Sequence, residues 1–293
     1  MLIFEVMNDD GPNSMQIRQQ VLNFLLTNEH KCVSLMARFL KKDTKILYIL
    51  DERNSIWGVL SVSKGGQILH CLESESILPA IHEYFAAERP QKIFSIVGEQ
   101  KYTDAIARIF LQLYGTVPKA ANEYNLMEYS QAAEEEAILA SVPDSKKNAF
   151  LADCEVFDAK DSDFDMMFPI QKFYELEEVV VDKKSFNEKN SRILLRRAIQ
   201  AGEVFGVRYN DRIVAKASVN AKGEKCVQLG GISTDMTFRN RGIATYLVRN
   251  LTKRFKKEGK TIVLFVKKVN MTAINVYKNC GFTSFSDYKI TYF

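Results

Sequence analysis

The stretch from Cys226 to Gly259 reads CVQLGGISTDMTFRNRGIATYLVRNLTKRFKKEG, and it decides how the fold of this chain is interpreted. Its apolar first part, Cys226 to Thr234, predicts a strand, and Asp235 to Arg241 predicts a tight turn. A helix is predicted from Gly242, because apolar residues then recur at helical spacing until Gly259. These apolar residues are Ile243, Leu247, Val248, Leu251 and Phe255.

A strand that runs into a glycine turn and a helix N-terminus forms a site for an anion. The first N–H groups of a helix have no intrahelical partners, and the helix dipole favours negative charge there. Gly242 and Ala244 leave room for a pyrophosphate to approach the backbone, and Arg239 and Arg241 add positive charge. This glycine loop matches neither the dinucleotide pattern GxGxxG nor the complete P-loop pattern GxxxxGK[ST], so a pyrophosphate site of another class is predicted.

A second motif follows about 30 residues later. The run TIVLFV from Thr261 is continuously apolar, as expected of a strand that is buried on both faces. After it, Asn270 to Phe282 reads NMTAINVYKNCGF, which predicts a helix. Asn270 or Thr272 can cap this helix, and Gly281 can end it.

These two motifs carry a resemblance to a known family. Residues 239–244, RNRGIA, resemble the R/Q-x-x-G-x-G/A pattern of the GNAT acetyltransferase superfamily, and residues 270–282 resemble its pattern N-x-x-A-x-x-x-Y-x-x-x-G-F. The similarity is detailed over residues 204–293 and weaker over residues 150–202. Met236-Thr237 stands where tandem GNAT proteins often have proline, which puts only the local turn shape in question.

The resemblance implies an α/β (α+β) protein of two tandem GNAT-like domains, each a twisted mixed sheet flanked by helices. It implies an N-acetyltransferase that moves an acetyl group from acetyl-CoA to a primary amine of a small molecule or peptide, without a metal. The second half contains no histidine, since His30, His70 and His82 all lie in the first half.

The resemblance also assigns roles to residues. The backbone amides of Ile232 and Thr234 are expected to meet the acetyl group and the pantetheine arm, and the amides from Arg241 to Ala244 are expected to hold the pyrophosphate. Tyr277 matches the general acid that protonates the departing thiolate. The predicted CoA-binding set is Ile232, Ser233, Thr234, Arg239, Asn240, Arg241, Gly242, Ile243, Ala244, Asn270 and Asn275.

The attacking amine must be neutral, yet an alkylamine with a pKa near 10.4 is only about one part in a thousand neutral at pH 7. A base or a water relay therefore helps the reaction. Without histidine in this half, the base is Asp, Glu, Tyr or water. Glu177 and Glu178 lie in the predicted first helical region, and we take Glu177 as the hypothesis, although a solvated helix face explains either residue.

The two halves resemble distant copies of each other. Residues 45–66 and 203–223 both predict two strands that end in Ser-Val before a Lys-Gly turn. The spacing between the copies grows from 157 residues at the Ser-Val pairs to 168 at the pairs Ala105-Ile106 and Ala273-Ile274. The extra residues are predicted in the glycine loop and the helix after it.

Three segments are predicted: residues 1–130 as a degenerate GNAT-like domain, 131–149 as a linker with a turn at Pro143-Asp144-Ser145, and 150–293 as the catalytic domain. The first domain lacks the glycine loop. Glu73-Ser74-Glu75-Ser76 occupies the equivalent place, and its two acids would repel a pyrophosphate. We therefore predict that only the second domain binds CoA.

The composition limits the classes of function and of cellular location that the chain fits. A net charge of +4 over 293 residues gives no strong basic excess for nucleic acid, and no apolar run reaches the length of a membrane span. Five scattered cysteines predict reduced thiols and a cytoplasmic protein. Two alternatives stay open, a non-catalytic acyl-CoA-binding regulatory module and an acyl- or aminoacyltransferase with another donor, and so does a homodimer.

Overall fold

The two halves of the chain repeat one order of elements. The computed structural model describes residues 1–6, 11–42, 44–140, 145–180 and 182–293. In the first half the elements are β1 (Leu2–Glu5), α1 (Pro12–Thr27), α2 (Glu29–Lys41), β2 (Lys45–Leu50), β3 (Ile56–Val62), β4 (Gln67–Leu72), α3 (Leu78–Ala87), β5 (Ser95–Glu99), α4 (Gln100–Tyr114) and β6 (Ala120–Tyr129).

Two helices, α5 (Gln131–Leu139) and α6 (Ser145–Ala152), connect this half to the next. The second half then contains β7 (Cys154–Asp158), α7 (Phe164–Tyr174), α8 (Glu188–Gln200), β8 (Val204–Tyr209), β9 (Arg212–Lys222), β10 (Cys226–Thr234), α9 (Ile243–Lys257), β11 (Thr261–Lys267), α10 (Met271–Asn279) and β12 (Phe282–Tyr292).

The elements predicted around the two motifs are present. The strand predicted from Cys226 to Thr234 is β10, and the helices predicted after Gly242 and Asn270 are α9 and α10. The copies also differ in length where expected, since β10 and α9 have 9 and 15 residues but β4 and α3 have 6 and 10.

The predicted linker is mostly helical. Helix α5 packs against α10 and β12, and the Tyr129 hydroxyl donates to Glu134 Oε2 at 2.6 Å. Helix α6 begins at Ser145, the last residue of the predicted turn, while Pro143 and Asp144 lie outside the described residues. The division into 1–130, 131–149 and 150–293 stays a prediction.

One mixed sheet runs through both halves. Within the described residues its twelve strands have the order β1-β2-β3-β4-β5-β12-β6-β11-β10-β9-β8-β7. The pairs β4–β5 and β10–β11 are parallel, and the other neighbours are antiparallel. The two predicted sheets thus form one continuous sheet.

The halves exchange their last strands. The last strand of the second half, β12, pairs with β5 of the first half, and β6 of the first half pairs with β11 of the second. The register is symmetric: Tyr288 lies opposite Glu99, Tyr124 lies opposite Lys267, and Tyr124 and Tyr288 lie opposite each other. The chain therefore has a pseudo-two-fold axis near these two tyrosines, as in an isologous dimer.

Helices cover both faces of this sheet. On one face, α9 and α10 bury Leu247, Val248 and Ile274 against the strands of the second half. On the other face, α1 and α2 bury a cluster that contains both Tyr124 and Tyr288. None of the helices in the described part of the chain combines the length and the apolar character that a membrane crossing requires.

Helix α2 also crosses onto the second half. Val33 packs against Ala221, Cys226 and Val263. The buried Glu29 carboxylate accepts hydrogen bonds from the backbone N–H groups of Lys225 and Cys226, the latter at 2.7 Å. The first half thereby holds the turn that leads into β10, the strand that the site depends on.

Candidate functional site

A cleft of about 610 Å³ opens where β10 and β11 separate. The two strands pair from Cys226–Thr261 to Leu229–Leu264, and no further pair between them is present in this described region. The end of β10, the N-termini of α9 and α10, and the turn after α7 form the walls. The lining includes Tyr174, Glu177, Glu178, Ile232, Ser233, Thr234, Arg239, Asn240, Gly242, Ile243, Ala244, Thr245, Lys267, Asn270 and Tyr277.

The N-terminus of α9 supplies backbone donors to this cleft. Its first intrahelical hydrogen bond runs from Tyr246 N to Gly242 O (2.9 Å), so the amides of residues 243–245 precede it and have no intrahelical partner. Gly242 caps the helix with φ at 80°, a left-handed conformation that favours glycine. Because the helix dipole adds to these amides, this end of the cleft suits a phosphate group.

A β-bulge redirects β10 at the other end of the cleft. Gly230 lies opposite Ser218 and Ser233 lies opposite Lys216, so β10 holds one extra residue between these pairs. Gly231, at φ 58°, is in this extra segment, and a Cβ there would lie 2.9 Å from Lys216 Nζ. Ile232 and Thr234, next to this bulge in β10, line the cleft.

Lys216 and Tyr174 hold the bulge from the side. The Lys216 ammonium donates to Gly231 O at 2.7 Å and lies 5.3 Å from the centre of the Tyr174 ring. Lys216 has no solvent exposure, and this burial lowers its pKa to about 7, opposed in part by the charge of Glu175. Burial and the charge of Glu178 raise the pKa of Tyr174 to about 12, and a hydrogen bond with the Gly231 backbone opposes that rise.

Tyr277 lies on α10 beside the strand split. Its side chain is 8% exposed, and burial raises its pKa, with the neighbouring Tyr174 and Glu178 adding to the effect. The phenol therefore keeps its proton at neutral pH, as a proton donor must.

Asn270 connects α10 to the turn after α7. Its Oδ1 caps α10 by accepting from Ala273 N at 3.0 Å, and its Nδ2 donates to Glu178 Oε1 at 2.9 Å. The other oxygen of Glu178 lies 3.7 Å from Lys267 Nζ. Glu178 and Lys267 are both half-buried, so this loose ion pair sits inside the cleft and not at its rim.

Glu177 forms a different ion pair at the mouth of the cleft. Its carboxylate accepts from both terminal nitrogens of Arg239, at 2.7 and 3.3 Å. Arg239 also stacks over the ring of Phe173. The pair joins the turn after α7 to the glycine loop.

A second cavity, the rear cavity, continues the cleft through the split in the sheet. It has a volume of about 230 Å³ and shares Tyr174, Glu178, Ile232, Lys267, Asn270, Ala273 and Tyr277 with the cleft. Its far wall consists of Tyr124 from β6, Phe265 from β11, and Ile290 and Tyr292 from β12. The exchange of strands β6 and β12 between the halves thus forms one wall of this cavity.

Most of the residues predicted from the sequence come together here, and two do not line the cleft. Arg241 lies over the rings of Phe150 and Phe238, at 5.2 Å from each centre, although its backbone amide belongs to the glycine loop. Asn275 is exposed on a face of α10 other than the one that bears Tyr277.

Sequence reasoning missed several residues of the site. Tyr174, Lys216 and Lys267 received no role, and Glu178 was second to Glu177. A signal existed only for Lys216, which is a lysine inside the apolar run RIVAKASV of β9. Tyr174 and Lys267 are ordinary residues in their local sequence, and only tertiary packing brings them to the cleft.

In the first half, a side chain occupies the split between strands that corresponds to the one between β10 and β11. Its parallel strands β4 and β5 stop pairing at Leu69–Val97, and the His70 ring then packs on Gly98, where a Cβ would lie 2.2 Å from it. His70 Nε2 lies 2.8 Å from Thr103 Oγ1, and burial lowers the pKa of His70 to about 3. A neutral, packed imidazole therefore closes this split.

Across the described ranges, no group of three or more His, Cys, Asp or Glu side chains is arranged to hold a metal ion.

Known proteins share this fold. Residues 167–282 match the model of the acetyltransferase (GNAT) family. A tandem GNAT protein from the clavulanic acid biosynthesis pathway is 12% identical, with a TM-score of 0.59 over 99% of this chain and 97% of that one. A GNAT-family acetyltransferase from Colwellia psychrerythraea is 12% identical, with a TM-score of 0.57 over 100% of both chains. No curated protein sequence matches the chain.

Residues 167–282 thus match the GNAT acetyltransferase family, and the whole chain has the fold of tandem GNAT proteins. This confirms the family resemblance and the fold class predicted from the two motifs. At 12% identity the solved structures show the fold alone. The family supports acyl transfer in general, and it names neither donor nor acceptor for this chain.

Proposed function

We propose that the protein is an N-acetyltransferase that moves an acetyl group from acetyl-CoA to a primary amine in the cleft of the second half. One observation carries the proposal. The cleft joins the free amides of α9, which suit a pyrophosphate, to the buried phenol of Tyr277 through the split between β10 and β11. No metal takes part in the proposed reaction.

In this proposal, each end of the cleft binds a different part of acetyl-CoA. The amides of residues 241–244 bind the pyrophosphate, with Arg239 and Asn240 beside it. The amides of Ile232 and Thr234, two residues that line the cleft beside the bulge, meet the acetyl group and the pantetheine arm. An N–H aimed at the thioester carbonyl stabilises the negative charge that develops on its oxygen.

The proposed reaction is one substitution at the thioester carbonyl. The amine nitrogen forms a bond to the carbonyl carbon, and the bond from that carbon to sulfur breaks. Tyr277 donates its proton to the departing thiolate, and the amine gives up one proton. The proton lost by the amine finally restores the phenol of Tyr277, so the protons balance and no further reactant is needed.

The identity of the group that accepts the amine proton is also a proposal. Glu177, the predicted base, is already bonded to both terminal nitrogens of Arg239. Glu178 lies deeper, and its charge contributes to the raised pKa values of Tyr174 and Tyr277. We therefore favour Glu178, directly or through water, as the carboxylate at the reacting nitrogen.

Titration calorimetry with acetyl-CoA tests the binding step. We compare the wild type with Gly242→Glu, which puts a carboxylate at the N-terminus of α9, and with Gly259→Glu at the other end of the same helix. The control is matched because Gly259 also has a positive φ, 72° against 80°, and a Cβ there meets no other atom.

We expect the wild type and Gly259→Glu to bind acetyl-CoA with similar affinity, and Gly242→Glu to bind at least about tenfold more weakly. Absence of binding by the wild type, or equal binding by all three proteins, would contradict the proposal. Binding without CoA release on any amine would instead favour the non-catalytic acyl-CoA-binding module.

A further inference from the structure

The rear cavity limits what the acceptor can be. Its volume of about 230 Å³ corresponds to roughly eight water molecules at about 30 Å³ each. A compact molecule of about ten non-hydrogen atoms fits this space, whereas the first residues of a peptide chain with their side chains exceed it.

The far wall of the cavity is aromatic. The Tyr124 ring meets the Phe265 ring edge to face with centres 5.0 Å apart, and Tyr124 is buried. Tyr292 lines the same wall of the cavity. Rings held in this way offer a rigid surface to an apolar or aromatic body.

The opposite wall carries an incompletely paired carboxylate. Glu178 Oε1 is bonded to Asn270. Among the described residues, Oε2 has only Lys267 Nζ at 3.7 Å, beyond hydrogen-bond distance. An ammonium between Glu178 and the tyrosine rings gains a charge-assisted hydrogen bond and a cation–π contact. The cavity thus presents a carboxylate near the acetyl end of the cleft and an aromatic surface at its far end.

We propose that the rear cavity is the acceptor site and that it takes a compact primary amine with an apolar or aromatic body. The ammonium lies at Glu178 and the body lies against Tyr124 and Tyr292. The inference rests on the function proposed above. It also gives the first half a role in specificity, because Tyr124 belongs to its strand β6 and because β12, which bears Tyr292, is held between β5 and β6.

Steady-state release of CoA by the full-length protein tests this site. The acceptors are 2-phenylethylamine, which fits the cavity, and a hexapeptide with a free N-terminal amine, which does not. The variants are Glu178→Gln and Tyr292→Ala. Phe94→Ala is the control, since Phe94 contacts the Tyr292 ring (centres 5.9 Å apart) but does not line the cavity.

We expect the wild type to acetylate 2-phenylethylamine and to prefer it to the hexapeptide by at least about 100-fold in kcat/KM. Glu178→Gln should raise the KM for this amine by about tenfold or more, with the KM for acetyl-CoA within about twofold of wild type. Tyr292→Ala should reduce the preference over the hexapeptide by about tenfold, and Phe94→Ala should leave it unchanged.

Equal use of the amine and the hexapeptide by the wild type would overturn the inference. So would an amine KM that neither Glu178→Gln nor Tyr292→Ala changes. In both cases amine acetylation itself would persist, so the proposed function would stand. If the wild type binds acetyl-CoA but releases no CoA with any amine, the proposed function fails and the inference fails with it.

Discussion

Tyr277 tests the proposed chemistry at the scale of one residue. Because burial raises its pKa, the phenol is protonated at neutral pH and can donate to the thiolate. We expect Tyr277→Phe to lower kcat by about 100-fold, near the lower limit for a general acid, because a CoA thiolate is a tolerable leaving group. Calorimetry should show acetyl-CoA affinity within about twofold of wild type, since the aromatic ring is retained.

Tyr288→Phe is the matched control for this prediction. Tyr288 is 6% exposed, close to the 8% of Tyr277, and it lines neither the cleft nor the rear cavity. The kcat of Tyr288→Phe should equal that of the wild type. Full turnover by Tyr277→Phe would leave Tyr277 with a packing role only.

Lys216 predicts a pH dependence of stability. Its folded pKa of about 7 lies below its ordinary value of 10.5, so between these pH values the unfolded chain holds a proton that the folded chain does not. Unfolding then takes up a proton, and raising the pH disfavours it. The contribution of Lys216 to stability is therefore lowest below pH 7 and increases until the pH passes the unfolded pKa.

This pH dependence is tested by comparing the wild type with Lys216→Met in chemical denaturation between pH 7.5 and 9.5. The unfolding free energy of the wild type minus that of the variant should rise by about 1 kcal/mol per pH unit. Lys222→Met, at an exposed lysine of the same strand, is the control and should show no slope. A flat difference for Lys216→Met would mean that Lys216 titrates near its ordinary pKa.

At the scale of elements, the local sequence pattern predicted the helices and strands whose formation depends on local interactions. Helix α9 follows from the spacing of its apolar residues, and β11 follows from its continuous apolar run. The β-bulge at Gly231 and the π-helical turn Glu175–Val179 were not predicted. The bulge contacts Lys216 and Tyr174, which come from other elements, so no window of sequence around Gly231 contains these partners.

The docking of α2 on the second half gives a prediction at this scale. Glu29 is 1% exposed and satisfies the N–H groups of Lys225 and Cys226 across the chain. Glu29→Ala leaves both buried donors without a partner, so we expect a loss of about 2–4 kcal/mol in unfolding free energy. Denaturant titration measures it, with exposed Glu83→Ala as the control expected within about 0.5 kcal/mol of wild type.

A loss for Glu29→Ala no larger than that for Glu83→Ala would show that water replaces the carboxylate at these two amides. The contact between α2 and the second half would then rest on packing such as that of Val33 and on the hydrogen bond from Ser34 Oγ to Gln228 Oε1.

At the scale of the whole molecule, the strand exchange joins the two halves. A fragment that ends after α5 would leave β5 without β12, and the complementary fragment would leave β11 without β6. Each would expose an unpaired edge in the middle of a sheet, where pairing and burial are otherwise complete. The halves are therefore separate in sequence but not in packing.

We expect fragments 1–140 and 141–293 to be unfolded or aggregated when produced separately, and to form a 1:1 complex when produced together. Size-exclusion chromatography with circular-dichroism melting measures both results. A fragment 141–293 that melts cooperatively as a monomer and binds acetyl-CoA would contradict this prediction and would support an independent catalytic domain.

Local sequence patterns predict the class of fold, the glycine loop and the two signature helices. The reason is that a strand, a turn and an amphipathic helix are encoded by neighbouring residues whose periodicity shows in a single stretch. The sequence also indicated the duplication, because both copies keep the same order of strands and turns. Asn270 and Tyr277 could be placed in the site for the same reason, since each holds a set position in a local motif.

Contacts between distant parts of the chain determine the strand exchange, the rear cavity and the closed split at His70. Pairing β12 with β5, and not with β11, is a choice between edges almost 170 residues apart along the chain. Both pairings satisfy the same local pattern, so their difference in free energy lies in long-range contacts such as those of Tyr124 and Tyr288 in the core under α2. For that reason Glu178, Lys216 and Tyr292 joined the site only when the chain was folded.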